Sequence, residues 1–369
     1  MSLIHALSKP PLNLSSSSIR RIACLVLIIS LSCTLYAFDV RAEAGKKIVL
    51  YNWEDYMPQF ALDEFEAETG TKVELVFYET DELKDELIYT TRGKGLDLII
   101  GTGFSFAKYI RRGDILQSFD SNKLSNYEHI DQMWYDKQTD LKDYSIPLWW
   151  GTLGIIYRKD LVKEPVTDWM SLFRPEKSLQ SRIIMVNDIR DSMSAALLAL
   201  GYSINSTSPR EISAAGALML EQRPFVRAYR YINVSEESEL LDGSVHMTLG
   251  YNGDAVILKS FNDNIEFLVP DNGTQLWADH IAVLQTSKNK KAAYAFIDFI
   301  NQPERAARIA EAIGYASANK GALAHMQPEH KNNPDIYPSK QRLEKSEFTQ
   351  ELTPRLTSIY NTVFINSTK

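Results

Sequence analysis

The spacing of apolar positions in the first part of the chain predicts strands and helices in alternation. Val73, Leu75 and Phe77 alternate with other residues as in a half-buried strand, whereas Leu62 and Phe65 recur at helical spacing. The predicted order is a strand at 47–51, a helix that opens at Pro58 and ends before Gly70, a strand at 73–77, a helix at 81–92, a strand at 96–100 and a helix at 106–111. This order favours a mainly parallel sheet with helices on both faces.

The same alternation begins again near Ile183, which indicates a second unit. Its predicted elements are a strand at 183–186, a helix ending at Gly201, a helix that Ser208-Pro209 opens toward Leu220, strands at 245–249 and 265–269, and helices over 292–314 broken at Pro303. Single hydrophobic cores stop growing at about 250 to 300 residues, so two α/β lobes of similar size are expected. Between them, residues 145–152 have the extended, proline-and-glycine character of a segment that crosses from one lobe to the other.

The amino-terminal residues predict a secretory signal peptide. Arg20 and Arg21 precede an apolar run over 22–35, and Ala42-Glu43-Ala44 is a cleavage signature that leaves a mature chain from about Gly45. An uncleaved anchor is the alternative, although polar residues interrupt the run and leave it short of the roughly 20 residues that span a bilayer. The sequence therefore predicts export to the periplasm.

Both cysteines, Cys24 and Cys33, lie within this leader. The exported chain then has no thiol for a disulfide, a metal or covalent catalysis, and a lipid anchor on Cys33 is a weaker alternative. The full chain has a net charge of −7, and removal of the leader, which carries +2, makes it −9. Such a balance disfavours nucleic acid as a partner and draws cations toward the protein.

The sequence lacks the motifs of common catalytic and cofactor sites. It contains no H-E-x-x-H pair, no phosphate loop ending in Gly-Lys-Ser/Thr and no nucleophile elbow, and Gly101-Thr102-Gly103 lacks the third glycine of a dinucleotide fingerprint. The histidines show no ligand spacing, and His246 and His280 lie beside strand-like residues, where a histidine is usually structural. We therefore expect no enzyme activity, no cofactor and no metal.

A dense group of rings and carboxylates follows the first strand. Trp53, Glu54, Asp55 and Tyr56 come directly after residues 47–51, at the carboxyl end of a strand, where open α/β sheets bind their ligands. A ring face attracts an ammonium group, and a carboxylate gives it charge-assisted hydrogen bonds, so this group suits an organic cation. The alternative is structural: the two rings staple the start of the next helix, and the carboxylates lie near its positive end.

Short motifs in a characteristic order extend over nearly the whole mature chain. They are Tyr51-Asn52-Trp53-Glu54-Asp55-Tyr56, Asp143-Tyr144-Ser145-Ile146-Pro147, Trp277-Ala278-Asp279, Ile313-Gly314-Tyr315 and Ser358-Ile359-Tyr360. Their order resembles that of the periplasmic spermidine/putrescine-binding proteins, a family of extracellular solute-binding proteins with two lobes and a hinge.

The resemblance implies an α/β, two-lobed periplasmic binding protein fold of type II, in which each lobe is a mainly parallel sheet flanked by helices. The predicted boundaries are 1–44 for the signal peptide, 45–152 with 278–323 for the first lobe, and 153–277 with 324–369 for the second lobe. The residues that the resemblance implies as ligand-binding are Trp53, Glu54, Tyr56, Thr102, Phe104, Asp188, Asp191, Tyr251, Trp277, Asp279, Tyr315 and Thr349.

Several of these positions depart from the family pattern. Phe104 and Tyr251 stand where the family usually has tyrosine and tryptophan, and Asp191 stands where glutamate is common. Phe348 and Thr349 fall where the family has tryptophan and glutamine. These changes remove a hydroxyl, shorten an acidic arm and replace a long amide by a short hydroxyl. Spermidine specificity therefore does not follow from the resemblance.

Local structure offers a second explanation for some of these residues. Asp188 and Asp191 also fit the start of the following helix, where carboxylates in the first turn are routine, and residues 251–254 fit a turn from a strand to a helix. Trp277 and Asp279 are two residues apart on an extended segment, so their side chains are expected to project to the same side.

The implied ligand is a linear polyamine, which alternates protonated amines with short carbon spacers and so matches a cleft that alternates carboxylates with rings. The resemblance implies a monomer that closes around spermidine, putrescine or norspermidine and presents the closed form to the inner-membrane permease of an ABC transporter. The alternative partner is a membrane-bound sensor enzyme that signals polyamine levels without transport, for example in biofilm or cyclic-di-GMP control.

Two other classes of function are compatible with the sequence. One is a binding protein for a different solute, such as another small cation, an amino acid or a sugar, although anionic groups would call for arginine and helix-start amides. The other is an enzyme, because two-lobed folds of this type also host transferases. An enzyme would need a nucleophile, a metal or a cofactor lysine in the cleft, and the candidate residues are acids and rings.

Overall fold

The computed structural model describes residues 46–369, apart from Asp55 and Lys137. The predicted signal peptide at 1–44, its two cysteines and the predicted start at Gly45 lie outside the described residues. Within the described part of the chain, no helix is long and apolar enough to cross a membrane.

The strands of the described part, numbered here in chain order, include one at each of the six predicted positions. They are β1 (Lys46–Trp53), β2 (Thr71–Tyr78), β3 (Leu98–Thr102), β4 (Ile146–Arg158), β5 (Ile183–Met185), β6 (Val226–Tyr229), β7 (Met247–Tyr251), β8 (Ile265–Leu268), β9 (Gln275–Val283), β10 (Ala316–Ser317) and β11 (Glu347–Phe348).

Helices alternate with these strands in both halves of the molecule. They are α1 (Gln59–Thr69), α2 (Asp81–Thr91), α3 (Gly103–Arg112), α4 (Met133–Asp136), α5 (Met170–Phe173), α6 (Ile189–Ala199), α7 (Pro209–Gln222), α8 (Glu239–Asp242), α9 (Asn252–Phe261), α10 (Lys290–Ile300), α11 (Pro303–Ile313), α12 (Pro328–Lys331), α13 (Lys340–Glu344) and α14 (Pro354–Thr368).

The ends of several helices show why the sequence stops or starts them where it does. Gly70 follows α1 with a φ of 68°, a left-handed conformation that other residues adopt at a cost, and its N–H bonds to the carbonyl of Glu66. At α7, Ser208 accepts from the N–H of Glu211, and Pro209 occupies the first turn, where a missing N–H is harmless. The same residues predict the end of α1 and the start of α7 from the sequence.

Hydrogen bonds join the strands in the order β2-β1-β3-β9-β4-β7-β5-β6, with β8 and β10 on β4 and β11 on β9. The two ends of this path are parallel, because β1 pairs in parallel with β2 and β3, and β5 does so with β6 and β7. The centre is antiparallel, since β4 pairs with β9 and β7, and β9 pairs with β3. The predicted two-lobed α/β fold is therefore confirmed, with two long antiparallel strands at its middle.

The two long strands also lie beside the carboxyl ends of β3 and β7, their neighbours in the sheet. Thr102, the last residue of β3, lies opposite Asp279 of β9, and Tyr251, the last residue of β7, lies opposite Leu153 of β4. Ligands of open α/β sheets bind at such strand ends. The middle of the molecule is therefore the expected place for a site.

Each half of the molecule has its own hydrophobic core. Leu50, Phe65 and Phe296 belong to a buried cluster between the β1–β3 strands and the helices of the first half. Trp169 and Phe364 belong to a second cluster, so that the carboxyl-terminal helix α14 packs in the other half. Burial of separate cores lets two units fold around a shared pair of strands.

Candidate ligand-binding site

A row of aromatic side chains crosses the middle of the molecule. In order, its members are Trp149, Tyr56, Tyr315, Trp277, Tyr251 and Tyr231, with successive ring centroids 4.9, 5.9, 4.9, 6.3 and 6.5 Å apart. Neighbouring rings meet edge to face, except for the stacked pair at the Tyr231 end, and both geometries are favourable for aromatic pairs. We call this set the aromatic row. It unites four of the predicted binding residues, from four different segments of the chain.

Two glycines allow the aromatic row to pack this closely. A Cβ on Gly151 of β4 would lie 2.5 Å from the Trp277 ring and 2.2 Å from Oδ1 of Asn252. A Cβ on Gly253, in the first turn of α9, would lie 2.2 Å from the ring of Tyr315. All three distances are far below any real contact, so the two rings can pack directly on the backbone only because these positions are glycines.

Asp279 is a buried carboxylate beside Tyr56. It is 4% exposed, it lies opposite Thr102, and its Oδ1 has no hydrogen-bond partner among the described residues. Burial raises its pKa to about 7; the charge of Asp81 adds to this rise, whereas the Tyr56 hydroxyl and the charge of Lys84 oppose it. Because an unpaired buried carboxylate is unfavourable, the geometry favours a cation at this position.

Asp191 is the corresponding buried carboxylate of the second half, in the first turn of α6. The Tyr251 hydroxyl donates to its Oδ2 at 2.5 Å, and the Gln275 amide donates to its Oδ1 at 2.5 Å. Burial, followed by the charge of Asp188, raises its pKa to about 7, and the two hydrogen bonds oppose the rise. The carboxylate is thus held rigidly against the end of the aromatic row.

Asp188 has the structural role that local sequence offered as an alternative. It is the N-cap of α6, and its Oδ1 accepts from the backbone N–H of Asp191 at 2.9 Å. Burial raises its pKa, and the negative charge of Glu82, which belongs to the other half of the molecule, adds to the rise. Asp188 therefore contributes negative charge next to Asp191 while it caps the helix.

Tyr251 likewise lies at the turn from β7 to α9, and it is the N-cap residue of that helix. Its backbone N–H donates to the Asp254 carboxylate at 3.0 Å. The structural explanation and the candidate binding role are therefore compatible for this residue, because the backbone caps the helix while the side chain reaches Asp191. Burial raises the pKa of Asp254 to about 6, and burial, followed by the charge of Asp254, raises the pKa of Tyr315.

The remaining residues of the first cluster lie around one end of the aromatic row. Trp53 packs against Tyr78, with ring centroids 4.4 Å apart, and Thr102 caps α3 by accepting from the Ser105 N–H. Glu54 is exposed in the turn after β1. The ring contacts of Trp53 and Tyr56 run to Tyr78, Trp149 and Tyr315, which argues against a staple on α1 as their main role.

Phe104 and Thr349 do not join the aromatic row but line a separate cavity of about 470 Å³. The cavity has walls from both halves, because α3 supplies Phe104 and Arg111, whereas residues 346–351 supply the opposite side. An ion pair between Arg111 and Glu351 joins these walls. The ring of Phe104 lies 4.1 Å from the ammonium of Lys108, so this ring already has a cation on its face.

Sequence reasoning missed several residues that shape the site. Trp149 ends the aromatic row, Tyr78 supports Trp53, and Lys84 is fully buried near the Tyr78 ring. A signal for Lys84 exists, since it lies four residues before the buried Ile88 and thus on the core-facing side of α2. No comparable signal exists for Gln275, whose position follows only from the pairing of β9.

The chemistry of the arrangement is suited to binding a cation. It combines buried carboxylates, ring faces and amides, and the described residues contain no group of His, Cys, Asp and Glu placed to hold a metal ion. Each ring face attracts a cation, and each carboxylate can accept charge-assisted hydrogen bonds from it. The site is therefore complementary to an elongated organic cation.

Comparison with known proteins identifies the family of this chain. The profile of the bacterial extracellular solute-binding proteins matches residues 61–338. The spermidine/putrescine-binding periplasmic protein of Salmonella typhimurium is 31% identical over 313 residues, which is 84% of this chain and 88% of that protein. The crystal structure of a spermidine/putrescine ABC transporter substrate-binding protein from Streptococcus pneumoniae is similar with a TM-score of 0.80 and 27% identity, covering 88% of this chain and 98% of that one.

A second solved structure gives the same result. A spermidine/putrescine ABC transporter protein from Listeria monocytogenes is 30% identical, with a TM-score of 0.75 over 88% of this chain and 99% of that one. Fold and site together define a two-lobed solute-binding protein. The chain belongs to the bacterial extracellular solute-binding protein family. Because this family binds solutes, the expectation that the protein is not an enzyme is confirmed.

Proposed function

We propose that this protein binds a linear polyamine along the aromatic row, with Asp279 and Asp191 as the carboxylates that meet its amines. The observation that carries the proposal is the alternation of charge and ring: Asp279 lies beside Tyr56, and Asp191 is bonded to Tyr251, with Tyr315 and Trp277 between them. Polyamine spacers are apolar and their amines are charged, so this order matches the ligand group by group. Each cation–π contact contributes about 0.5 to 2 kcal/mol, depending on desolvation.

The relatives support the same ligand class. The Salmonella protein is named for spermidine and putrescine, and a relative from Pseudomonas aeruginosa that is 30% identical is named as a putrescine-binding periplasmic protein. Putrescine, spermidine and norspermidine therefore all stay candidate ligands of the proposed site.

Binding is proposed to close the two lobes. We keep 45–152 with 278–323 as one moving unit and 153–277 with 324–369 as the other, with β4 and β9 as hinge strands. Support comes from the pairing of β4, which changes from β9 to β7 at about residue 152. A ligand that contacts both units favours the closed form, and that form is the signal to a membrane partner.

The proposed partner is the inner-membrane permease of an ABC transporter, and the proposed location is the periplasm after export. The Streptococcus and Listeria structures are named as ABC transporter proteins. Deletion of the gene, followed by measurement of labelled polyamine uptake and of a polyamine-dependent signalling output, separates this partner from a sensor enzyme. Loss of uptake supports the permease; intact uptake with a lost signal supports the sensor.

Calorimetric titration of the mature protein tests the ligand class. Putrescine, spermidine and norspermidine are compared with a panel of amino acids and sugars for the wild type, Asp279→Ala and Trp277→Ala. We expect polyamine binding in the wild type and loss of most of it in both variants. Glu237→Gln, which removes an exposed carboxylate, serves as the control and should bind as the wild type does. Binding of an amino acid in preference to polyamines, or wild-type affinity in both site variants, would refute the proposal.

A further inference from the structure

Lys84 of α2 is a lysine with no exposed surface. Its ammonium lies 2.6 Å from Asp81 and 3.0 Å from Asp85, and it donates to the Ser105 hydroxyl at 2.8 Å. The rings of Tyr78 and Tyr109 have centroids 5.7 and 5.8 Å from it. Lysine is almost never fully buried unless it is paired, and here two carboxylates, a hydroxyl and two rings surround it.

This surrounding has the same chemistry as the proposed ligand site. Carboxylates paired with ring faces hold an ammonium in both places, but in this one the ammonium belongs to the protein. We call Asp81, Asp85, Tyr78 and Tyr109 the lysine cage.

The lysine cage is next to the proposed site. The Tyr78 ring packs on Trp53 at 4.4 Å, and the Tyr78 hydroxyl donates to the carbonyl of Ile100, two residues before Thr102. The lysine stem passes along β3, since a Cβ on Gly101 would lie 3.4 Å from it. The charges of Asp81 and Lys84 act on Asp279 in opposite directions.

We infer that Lys84 is a built-in counter-cation that sets the length of polyamine the site accepts, a conclusion that rests on the proposed function. By occupying the lysine cage, it commits Asp81 and Asp85 to the protein itself. Asp279 is then the carboxylate that the first half of the molecule offers to the ligand. A further amine that extends past Asp279 toward the lysine cage is repelled by the ammonium of Lys84. Triamines are accepted, and the tetraamine spermine is disfavoured.

The inference predicts what happens when the ammonium is removed. Lys84→Met keeps an unbranched stem of similar length but leaves Asp81 without its ammonium and Asp85 with only Lys108, at 3.5 Å. A fourth amine of the ligand can then replace the lost ammonium, because charge-assisted hydrogen bonds between an ammonium and a carboxylate are strong. We expect the affinity for spermine, relative to that for spermidine, to rise about tenfold over the wild-type ratio.

The experiment is calorimetric titration at about pH 8, where Asp279 is ionised, with spermidine and spermine as probes. Lys47→Met is the matched control, because it removes an exposed lysine paired with Glu74 in the same half of the molecule. Circular dichroism and thermal unfolding establish that each variant is folded. An unchanged spermine-to-spermidine ratio in folded Lys84→Met, or an equal rise in Lys47→Met, overturns the inference.

Two further variants keep the inference testable if Lys84→Met does not fold. Asp81→Asn leaves the pair between Lys84 and Asp85 in place, and spermidine affinity should stay within about twofold, because Asp81 serves the lysine and not the ligand. A tenfold loss contradicts this assignment. Lys84→Met combined with Asp81→Asn and Asp85→Asn makes the lysine cage neutral and should retain the wild-type ratio. If the wild type binds no polyamine, the proposed function fails; if it binds spermidine and the ratios do not follow this pattern, the role of Lys84 alone fails.

Discussion

The hydroxyl of Tyr251 donates a hydrogen bond of 2.5 Å to Oδ2 of Asp191, and this bond joins one end of the aromatic row to a buried carboxylate. The bond orients the carboxylate, whose other oxygen accepts from the Gln275 amide. It also stabilises the ionised form, since it opposes the rise in pKa that burial causes at Asp191. The ring and the acid therefore act as one unit toward a cation.

Tyr251→Phe is expected to weaken polyamine binding about tenfold, because a hydrogen bond to a charged group contributes about 1.5 to 3 kcal/mol. The ring remains in the aromatic row, so the loss measures the hydroxyl alone. Titration calorimetry at about pH 8 provides the measurement. Tyr157→Phe, which removes a hydroxyl on β4 near Glu266, is the control and should leave affinity unchanged. Equal affinities of Tyr251→Phe and the wild type would show that Asp191 needs no such support.

Ligand affinity is expected to increase with pH between about 6 and 8. Asp279 and Asp191 have pKa values raised to about 7, so each is largely protonated at the lower limit and ionised at the upper one. The terminal amines of a polyamine stay charged over this range, and each carboxylate that must ionise lowers the dissociation constant by up to about tenfold on going from pH 6 to 8. Titrations in buffers of different ionisation enthalpy should show proton release on binding, and Asp279→Asn should reduce it. Proton uptake, or an affinity independent of pH, contradicts the assignment of these carboxylates.

The same two carboxylates predict how the stability of the ligand-free protein depends on pH. A carboxyl group whose pKa is higher in the folded than in the unfolded chain stabilises the fold most below the unfolded value, about 3.9, and this contribution is lost as pH rises through the folded value. For Asp279 and Asp191 that loss is complete above about pH 7. The melting temperature of the wild type should therefore fall relative to that of Asp279→Asn between about pH 5 and 8, and a polyamine should restore it. Parallel pH curves for the two proteins would contradict the raised pKa of Asp279.

Much of the fold could be predicted from periodicity, and the exceptions have physical reasons. The elements around Gly70, Pro209 and Pro303 were placed to within a few residues because their end signals are explicit. For strand β4 the sequence predicts only an extended crossing segment at 145–152, whereas the strand runs from Ile146 to Arg158. Nearly all of its residues are buried, so it shows no alternation that would reveal a strand.

In the candidate site, likewise, positions close together in the sequence could be predicted, whereas contacts between distant segments could not. Trp277 and Asp279 could be placed on one side of a strand from their spacing alone, and the structure has both in β9. Tyr315, which contacts Trp277, and Tyr56, which lies beside Asp279, belong to distant segments of the chain. The family resemblance, and not residue spacing, predicts that these residues lie in one site. Phe104 was expected beside the others but lines the separate cavity, because the start of α3 carries it toward residues 346–351.

Gly151→Ala is expected to damage the site more than the fold. The added Cβ would overlap the ring of Trp277 and the amide of Asn252, so Trp277 must move out of the aromatic row. Overpacking of this kind lowers stability by about 1 to 3 kcal/mol. Gly154→Ala, three residues further along β4, would overlap Phe267 by a similar amount and is the matched control. Thermal unfolding should show similar losses in both variants, whereas titration should show a loss of polyamine affinity only in Gly151→Ala; equal affinities would mean that the position of Trp277 does not matter for binding.

The ion pair between Arg111 and Glu351 joins the two walls of the cavity and should make a small contribution to closure. Both side chains are about half exposed, and exposed pairs contribute at most about 1 kcal/mol, so Arg111→Glu should weaken polyamine binding no more than about fivefold at low salt. Adding Glu351→Arg to that variant reverses the pair and should restore affinity. The difference between the variants should shrink in about 0.5 M salt, because screening acts on exposed charges. Arg112→Glu is the control for net charge. Arg112 is the neighbouring arginine, and its partner Asp114 follows α3 in the same half of the molecule. If the reversed pair does not recover the affinity lost by Arg111→Glu, the two residues do not act together in the ligand-bound form.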